Sequence, residues 1–371
     1  MGGAHATRES KIGSIEFEHR HQPRAYARVF EGRRMTNTAQ FESEGCARLR
    51  APLSAPAHPV LVSRFVRTLG YWPNPAVPRR FHEKMLWRKL VDHNPIFVTL
   101  TDKLAAKRIA RTRCPGLAVA KVLWVGTEPR ALPMSLVTRD VAVKANHSSG
   151  SNVFVTDGAP NYMKIVWRAE RWMARRHHRR HGEWSYRNVP QVIFVEEKLI
   201  LGGGDLPTEI KVHAFAGGIG HVWIADTPGR RSRTYSADVR PLAVRDTVNP
   251  GEEQELPDTP ATRALIRQAL DVAPRLLGRL DYARIDFMVA GGRLYFGEYT
   301  LYPGGGYDLW LDATLIQRAE ALWDLRQSHF LRRPHRGPLR LYADALRAAI
   351  DTAGAALASD PARSQQRATA Q

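Results

Sequence analysis

Two acidic residues, Asp286 and Glu298, lie in neighbouring strand-like runs, YARIDFMV (282–289) and RLYFGEYT (293–300), with Arg284 and Thr300 close by. Side chains alternate faces along a strand, and an even number of positions separates the carboxylates. They therefore share a face only if the turn has an odd number of residues or the ladder holds a bulge. Ala290, Gly291 and Gly292 supply such a turn, with glycine in the left-handed conformation. Amphipathicity pulls the other way. A two-residue Gly-Gly turn aligns Ile285, Phe287, Leu294 and Phe296 but places Glu298 among them, where an unpaired carboxylate is costly. Two carboxylates beside an arginine suit Mg²⁺ held between protein and substrate phosphates. A hairpin with charged edges is the plain structural alternative.

Four further groups have the right types for a phosphate-bearing ligand. VAVKANHSSGSN reads as a buried strand ending in Lys144, followed by His147, Ser148, Ser149 and Gly150, small residues that let backbone amides approach phosphate oxygens. It lacks the glycine spacing and following helix of a Walker A loop, and a hairpin turn is the alternative. Lys103 sits at a helix start in TDKLAAKRIA, and Lys211 sits mid-strand in TEIKVHAFAG among apolar neighbours, where an ammonium needs a partner. Each is otherwise a solvated or snorkelling lysine. Glu196 and Glu197 end the strand QVIFVEE, placed to meet an adenine amino group or a ribose hydroxyl, or simply to line an edge.

The elements that must position these groups follow from periodicity. Residues 1–58 lack sustained patterning and end in APLSAPAHP, predicting a disordered tail; residues 359–371 predict another. Helical patterns fill a region 59–118: LVSRFVRTLGYW, RRFHEKMLWRKLVD and TDKLAAKRIARTR, stopped by Pro115 and Gly116. Strands are predicted at VAKVLWV (119–125), DVAVKAN (140–146) and NVFVT (152–156), then a helix over 161–181, then strands at 191–197, 208–217 and 220–226 with LGGGD as a flexible linker. A helix on ATRALIRQALDVAPRLLGRL leads into the acidic hairpin and LYPGGGY. A main domain over 119–330 and a C-terminal helix over 331–358 complete an α+β chain with no internal repeat.

The chain has 371 residues, about two units at roughly 150 residues per domain. With 43% hydrophobic and 25% charged residues, fibrous, collagen-like and wholly disordered classes are excluded. Lys and Arg total 55 against 36 Asp and Glu, a net charge of +19 that calls for an acidic partner: nucleic acid, membrane surface, nucleotide or acidic polysaccharide. Cys46 and Cys114 are too few for a disulfide scaffold or a cysteine zinc site. MGGAHATRES has no signal pattern, Ala6 occupies the myristoylation position that wants Ser or Thr, and no apolar run spans a membrane, which points to the cytoplasm. Translation from Met35 rather than Met1 is left open.

Taken in order, FHEKMLWRKLVDHNP, TDK, VKANHSSGSN, EWSYRNV, VEE and YFGEYTLYPGGG resemble the TupA-like ATP-grasp family, named for teichuronopeptide synthesis, from about Phe81 to Trp310. The resemblance implies an ATP-grasp fold, two α+β subdomains clasping ATP. It implies that Lys103 and Lys144 contact phosphates, that the loop from His147 to Asn152 closes over them, and that Glu196 and Glu197 read adenine and ribose. Lys211 falls where a basic residue contacts phosphate. Asp286 and Glu298 match the Mg²⁺ ligands, and Arg284 matches the group that steadies the transferred phosphoryl. Thr300, the third residue of the implied metal site, departs from the asparagine many ATP-grasp ligases carry there, and its hydroxyl would ligate Mg²⁺ or hold its water. The implied reaction joins a carboxylate, such as one on an acidic glycan, to an amine through an acyl phosphate, releasing ADP and phosphate. The amine must lose a proton in that reaction, and His147 and His213 lie in the relevant segments.

A rival reading rests on Lys164, Arg168, Arg171, Arg175, Arg176, Arg179, Arg180 and Arg187, set against only Glu170 and Glu183, with Trp167, Trp172 and Trp184 interleaved. That pattern suits nucleic acid, with stacking on bases, or a core stripe of tryptophans. An ATP-binding protein without catalysis is the third class.

Overall fold

The computed structural model describes residues 58–137, 140–155, 161–175, 182–201, 206–226, 231–244, 254–307 and 312–358, with the side chains of 353–358 left aside. The two expected tails, most of LGGGD, and Arg176, Arg179 and Arg180 lie outside the described residues.

Two sheets organise the molecule. The smaller contains β2 (Val122–Gly126), β5 (Ile193–Glu197), β3 (Val141–Ala145) and β4 (Asn152–Val155) in that spatial order, all antiparallel. The larger runs β1 (Ala118–Val119), β12 (Arg293–Thr300), β11 (Tyr282–Ala290), β6 (Glu209–Phe215), β7 (Gly218–Asp226), β8 (Arg231–Tyr235) and β10 (Gln254–Glu255), with β9 (Pro241–Leu242) paired to β8. The helices are α1 (Pro59–Leu69), α2 (Phe81–Leu90), α3 (Ile96–Thr101), α4 (Lys103–Arg113), α5 (Tyr162–Met173), α6 (Pro260–Leu277), α7 (Ala313–Leu322), α8 (His329–Arg332) and α9 (Gly337–Ala358).

Each sheet buries one face on its own helix. In the small sheet Val141, Val143 and Val195 pack with Ile165, Ala169 and Trp172 of α5, whose first turn is capped by the Asn161 side chain. In the large sheet Ile210, Val212, Ile285, Phe287 and Phe296 pack with Leu265, Ile266, Ala269 and Ala273 of α6, capped by Thr259 with Pro260 in its first turn. Phe81, Trp87, Phe97, Ala106 and Ala110 from α2–α4 join that second core, so the N-terminal helices pack as part of the large-sheet unit.

The run VAKVLWV, expected as one strand, is divided. Ala118–Val119 pair with β12 and Val122–Gly126 with β5, so the chain passes from one sheet to the other across Ala120 and Lys121. β8, β9 and β10 were not expected. RSRTY of β8 carries too little apolar alternation to read as a strand, and it is held by its neighbours instead.

The FHEKMLWRKL segment is mostly scaffold. Arg88 is fully buried; its Nη1 donates to the carbonyls of Tyr282 and Leu301 (3.1 and 3.2 Å) and its Nη2 to Asp281 Oδ1 at 2.7 Å. Lys84 donates to the carbonyls of Glu320 and Trp323, and burial lowers its pKa from 10.5 to about 8 despite nearby carboxylates. The folded protein thus releases this proton near pH 8 and the unfolded chain near 10.5, so between those values the unfolded state binds more protons. The Lys84 contribution to stability therefore rises with pH through that window. Urea titrations across it should show a Lys84→Met variant lacking that rise; a parallel pH profile would contradict the assignment.

Among the described residues no helix is long and apolar enough to cross a membrane.

Candidate active site

The acidic hairpin meets its geometric requirement in an unexpected way. Ala290 pairs with Arg293 around a two-residue turn, Gly291 and Gly292, both at positive φ (55° and 69°). The register then slips: Phe287 pairs with Phe296, but Asp286 pairs with Glu298, leaving Gly297 as the extra residue of a bulge. The bulge moves the core face of β12 from Leu294 and Phe296 to Tyr299, continued by Leu301 just past the strand, and turns Glu298 and Thr300 to the opposite face. The conflict between the Gly-Gly turn and the position of Glu298 is thereby removed. Gly297 is required at this point, because a Cβ would lie 2.7 Å from the Asp286 carbonyl oxygen.

Arg284, Asp286, Glu298 and Thr300 consequently share one face. Arg284 Nε and Nη2 donate to the two Asp286 oxygens at 2.7 and 2.8 Å, and Thr300 Oγ1 donates to Asp286 Oδ2 at 3.0 Å. Lys211 is the register partner of Asp286 on β6, so it stands on that face too; its ammonium pairs with Glu209 at 2.8 Å and lies 4.6 Å from the Trp223 ring centre. His213, partner of Arg284, stacks on His221 at 4.2 Å, with Nδ1 3.0 Å from Tyr282 Oη. Burial, the other imidazole and the nearby cations hold His213 well below 6.5, and burial with Arg284 brings His221 to about 3, so both rings are neutral at physiological pH.

The phosphate-type groups converge from α4 and the small sheet. Asp102 caps α4 by accepting from Ala105 N at 2.9 Å, which fixes Lys103 in the first turn. Lys103 Nζ donates to the Ser148 carbonyl at 2.7 Å, and Asn146 Oδ1 accepts from Leu104 N at 3.2 Å, so the loop after β3 is tied to the start of α4. Burial lowers the Lys103 pKa, and Glu298 is the carboxylate that most opposes the shift, which brings the hairpin and this lysine into one electrostatic cluster. Lys144 ends β3 with its ammonium 2.6 Å from Glu196 Oε1. Gly150 sits at φ 68° in an exposed turn.

Three expected binders are held by the protein itself. His147 Nε2 lies 2.9 Å from the Trp172 carbonyl; a carbonyl only accepts, so the ring donates there and anchors the loop to α5. Glu197 Oε1 accepts from Lys121 N at 2.9 Å and fixes the crossing between sheets. Both Glu196 oxygens face lysines. Lys107, which sequence reasoning passed over, stands 2.9 Å from Glu196 Oε2. Burial alone would raise the Glu196 carboxyl, and Lys144 and Lys107 together hold it below its ordinary value. Tyr186 of EWSYRNV was also missed as a single residue: it bonds Ser149, and burial, Glu183 and Glu298 push its hydroxyl well above 10.0.

A metal would find two carboxylates and a hydroxyl here. No cluster of three or more His, Cys, Asp or Glu able to cage an ion occurs among the described residues. Asp286 and Glu298, directly opposed on one face, instead fit a Mg²⁺ that takes its other ligands from phosphates and water. The tryptophans of the basic segment do not form one stacking face: Trp172 is in the small-sheet core, Trp184 stacks on His93 at 4.9 Å, and only Trp167 is exposed, under Arg171.

No curated protein matches this sequence. Among solved structures, the chain is similar to the D-alanine–D-alanine ligase of Bacillus anthracis complexed with ATP (16% identity, TM-score 0.32, covering 60% of this chain and 65% of that one). The D-alanine–D-alanine ligase of Helicobacter pylori gives 14% identity and a TM-score of 0.37 over 60% and 61% of the two chains. A RiPP-associated ATP-grasp ligase of Chryseobacterium gregarium, in complex with ADP and a leader and core peptide, gives 14% and 0.34 over 75% and 71%. The chain thus spans less than two thirds of the two D-alanine–D-alanine ligases. A family profile described as TupA-like ATPgrasp matches residues 83–315, from the α2 scaffold helix through the acidic hairpin to α7, and the chain belongs to that ATP-grasp family.

Proposed function

We propose that this protein is an ATP-dependent carboxylate–amine ligase acting in the cytoplasm on surface polysaccharide or polysaccharide-peptide precursors. The observation that carries the reading is that Lys103 has both Lys144 and Glu298 as charged neighbours, Glu298 being register-paired with Asp286. Phosphoryl transfer needs positioning and charge neutralisation rather than a protein nucleophile, and this cluster supplies both.

In the proposed reaction a substrate carboxylate oxygen attacks the γ-phosphorus and ADP leaves with the bond electrons. An amine nitrogen then attacks the acyl carbon of the acyl phosphate, inorganic phosphate departs, and the nitrogen gives up a proton. Lys103 and Lys144 hold nucleotide phosphates, and the 147–152 loop, already fastened by Lys103 and Asn146, lies against them. Bound between Asp286 and Glu298, Mg²⁺ would supply charge neutralisation for the phosphates. Arg284, steadied by Asp286, and Lys211 offer positive charge from the other wall, and Thr300 orients Asp286. On the Lys144-bearing face of the small sheet Val125 and Phe154 are exposed, with Ala142 and Phe194 buried beside them, and the two exposed side chains offer apolar surface for a purine.

With acidic glycan fragments, a panel of amines and MgATP, the wild type should release ADP and phosphate only when both acceptors are present. Lys144→Ala should weaken MgATP binding or slow transfer by roughly 10²-fold, the scale of losing one preorganised charge. Unchanged calorimetric affinity together with unchanged turnover would remove Lys144 from the site. Salt-sensitive, sequence-specific nucleic-acid binding with no ATP turnover would select the rival function.

A further inference from the structure

Lys107 is one helical turn beyond Lys103 and on the same side of α4, which packs in the large-sheet core through Ala106 and Ala110. Glu196 and Lys144 belong to β5 and β3 of the small sheet. The carboxylate of Glu196 is thus gripped from both structural units: Lys107 at 2.9 Å on Oε2 and Lys144 at 2.6 Å on Oε1. The two ammonium groups differ in access. The Lys107 side chain is 6% exposed and that of Glu196 5%, whereas Lys144 is 26% exposed. Lys144 is thus the more accessible of the two to an incoming anion. If it turned to one with no second lysine in place, Glu196 would become an unpaired buried carboxylate, a state proteins avoid.

We propose that Lys107 is a positioning residue for the nucleotide site: it stays on Glu196 as resident counter-ion, and thereby releases Lys144 from that carboxylate to the nucleotide's phosphates. The proposal rests on the nucleotide reading above. It gives Glu196 a role in metering the charge of Lys144, both of its oxygens being held by lysines in place of ribose or adenine. It also makes the contact between α4 and the small sheet independent of whether ligand is bound, because the Lys107–Glu196 pair persists when Lys144 departs.

Calorimetric titration with ADP and with a non-hydrolysable ATP analogue tests this on four full-length proteins. Lys107→Met should bind both nucleotides roughly 10- to 100-fold more weakly, the scale of one charge-assisted hydrogen bond diverted from the ligand. Lys107→Arg should bind like the wild type. The Lys107→Met/Glu196→Gln double variant should recover most of the lost affinity, since Lys144 then has no carboxylate to hold it. A purely packing role for Lys107 predicts the opposite, with the double variant at least as weak as the single one, and that result would overturn the proposal. So would an unchanged Lys107→Met. If the single variant does not fold, the double variant, which has no buried carboxylate left to neutralise, still decides: near-wild-type affinity supports the proposal and weak affinity refutes it. A wild type that binds neither nucleotide overturns the site reading itself, an outcome distinct from weak binding by the variants alone.

Discussion

Glu298→Gln should cut acceptor-dependent ADP release by roughly 10²- to 10³-fold or more, because it removes a full charge from the point where the triphosphate's charge must be balanced. The substitution keeps the shape of the side chain. The Glu298 side chain has no hydrogen bond or salt bridge among the described residues and meets Lys103 only through longer-range charge, so the backbone ladder and its bulge have no reason to change. Melting temperature should therefore stay close to the wild type, and metal-free ADP binding, which depends on the lysines, should persist. Asp286→Asn makes a useful contrast. Asp286 holds Arg284 and Thr300 as well as facing Glu298, so its loss should cost both turnover and stability. Acceptor-dependent turnover at wild-type rate in Glu298→Gln would eliminate the metal site proposed for this hairpin.

Gly297→Ala should be nearly as damaging without touching any charged group. Its new methyl would meet the Asp286 carbonyl at 2.7 Å, and that oxygen is backbone within a central strand pair, with no flexible end to swing aside. Relief requires the bulge to open. A regular ladder would then carry Glu298 round to the face of Phe287 and Phe296, where a carboxylate cannot stay unpaired. The expected outcome is a drop in melting temperature together with loss of MgATP turnover, from a residue that contacts no ligand. Gly291→Asn, in a turn with open space around it, should by contrast be mild, since asparagine tolerates positive φ. Wild-type turnover in Gly297→Ala would show that the bulge does not set the register of Glu298.

The comparison of these two glycines shows what the amino-acid order could and could not convey. Alternation located both hairpin strands and flagged the parity conflict at Glu298, but the outcome depended on which residue lay too close to a neighbouring carbonyl, a three-dimensional fact. Lys103, Lys144 and Lys211 stood out because each sits where a lysine is awkward. Lys107 did not, since in KLAAKRIARTR it looks like any solvated helix residue until β5 is placed against α4. The division of VAKVLWV was likewise hidden. An unbroken apolar run is compatible with one strand, and the break is settled by the remote Glu197 carboxylate on Lys121. The basic segment was ambiguous for the reverse reason: charge and aromatic spacing reported composition, and only burial of Trp172 separated core from surface.

Arg88 carries a consequence for synthesis on the ribosome. Its guanidinium bonds are to Asp281, Tyr282 and Leu301, and the neighbouring Lys84 bonds to Glu320 and Trp323, so α2 has no partners for these buried charges until the last third of the chain has emerged. At about 5–20 residues per second that is a wait of roughly 10–40 s, during which Phe81, Met85, Trp87 and Phe97 have no core to enter. The small sheet and α5, complete by Glu197, can form meanwhile. The N-terminal helices are thus made first and docked late, with Arg88 solvated until Asp281 arrives, and a nascent chain halted before Tyr282 leaves their apolar face exposed, the kind of surface for which chaperones exist.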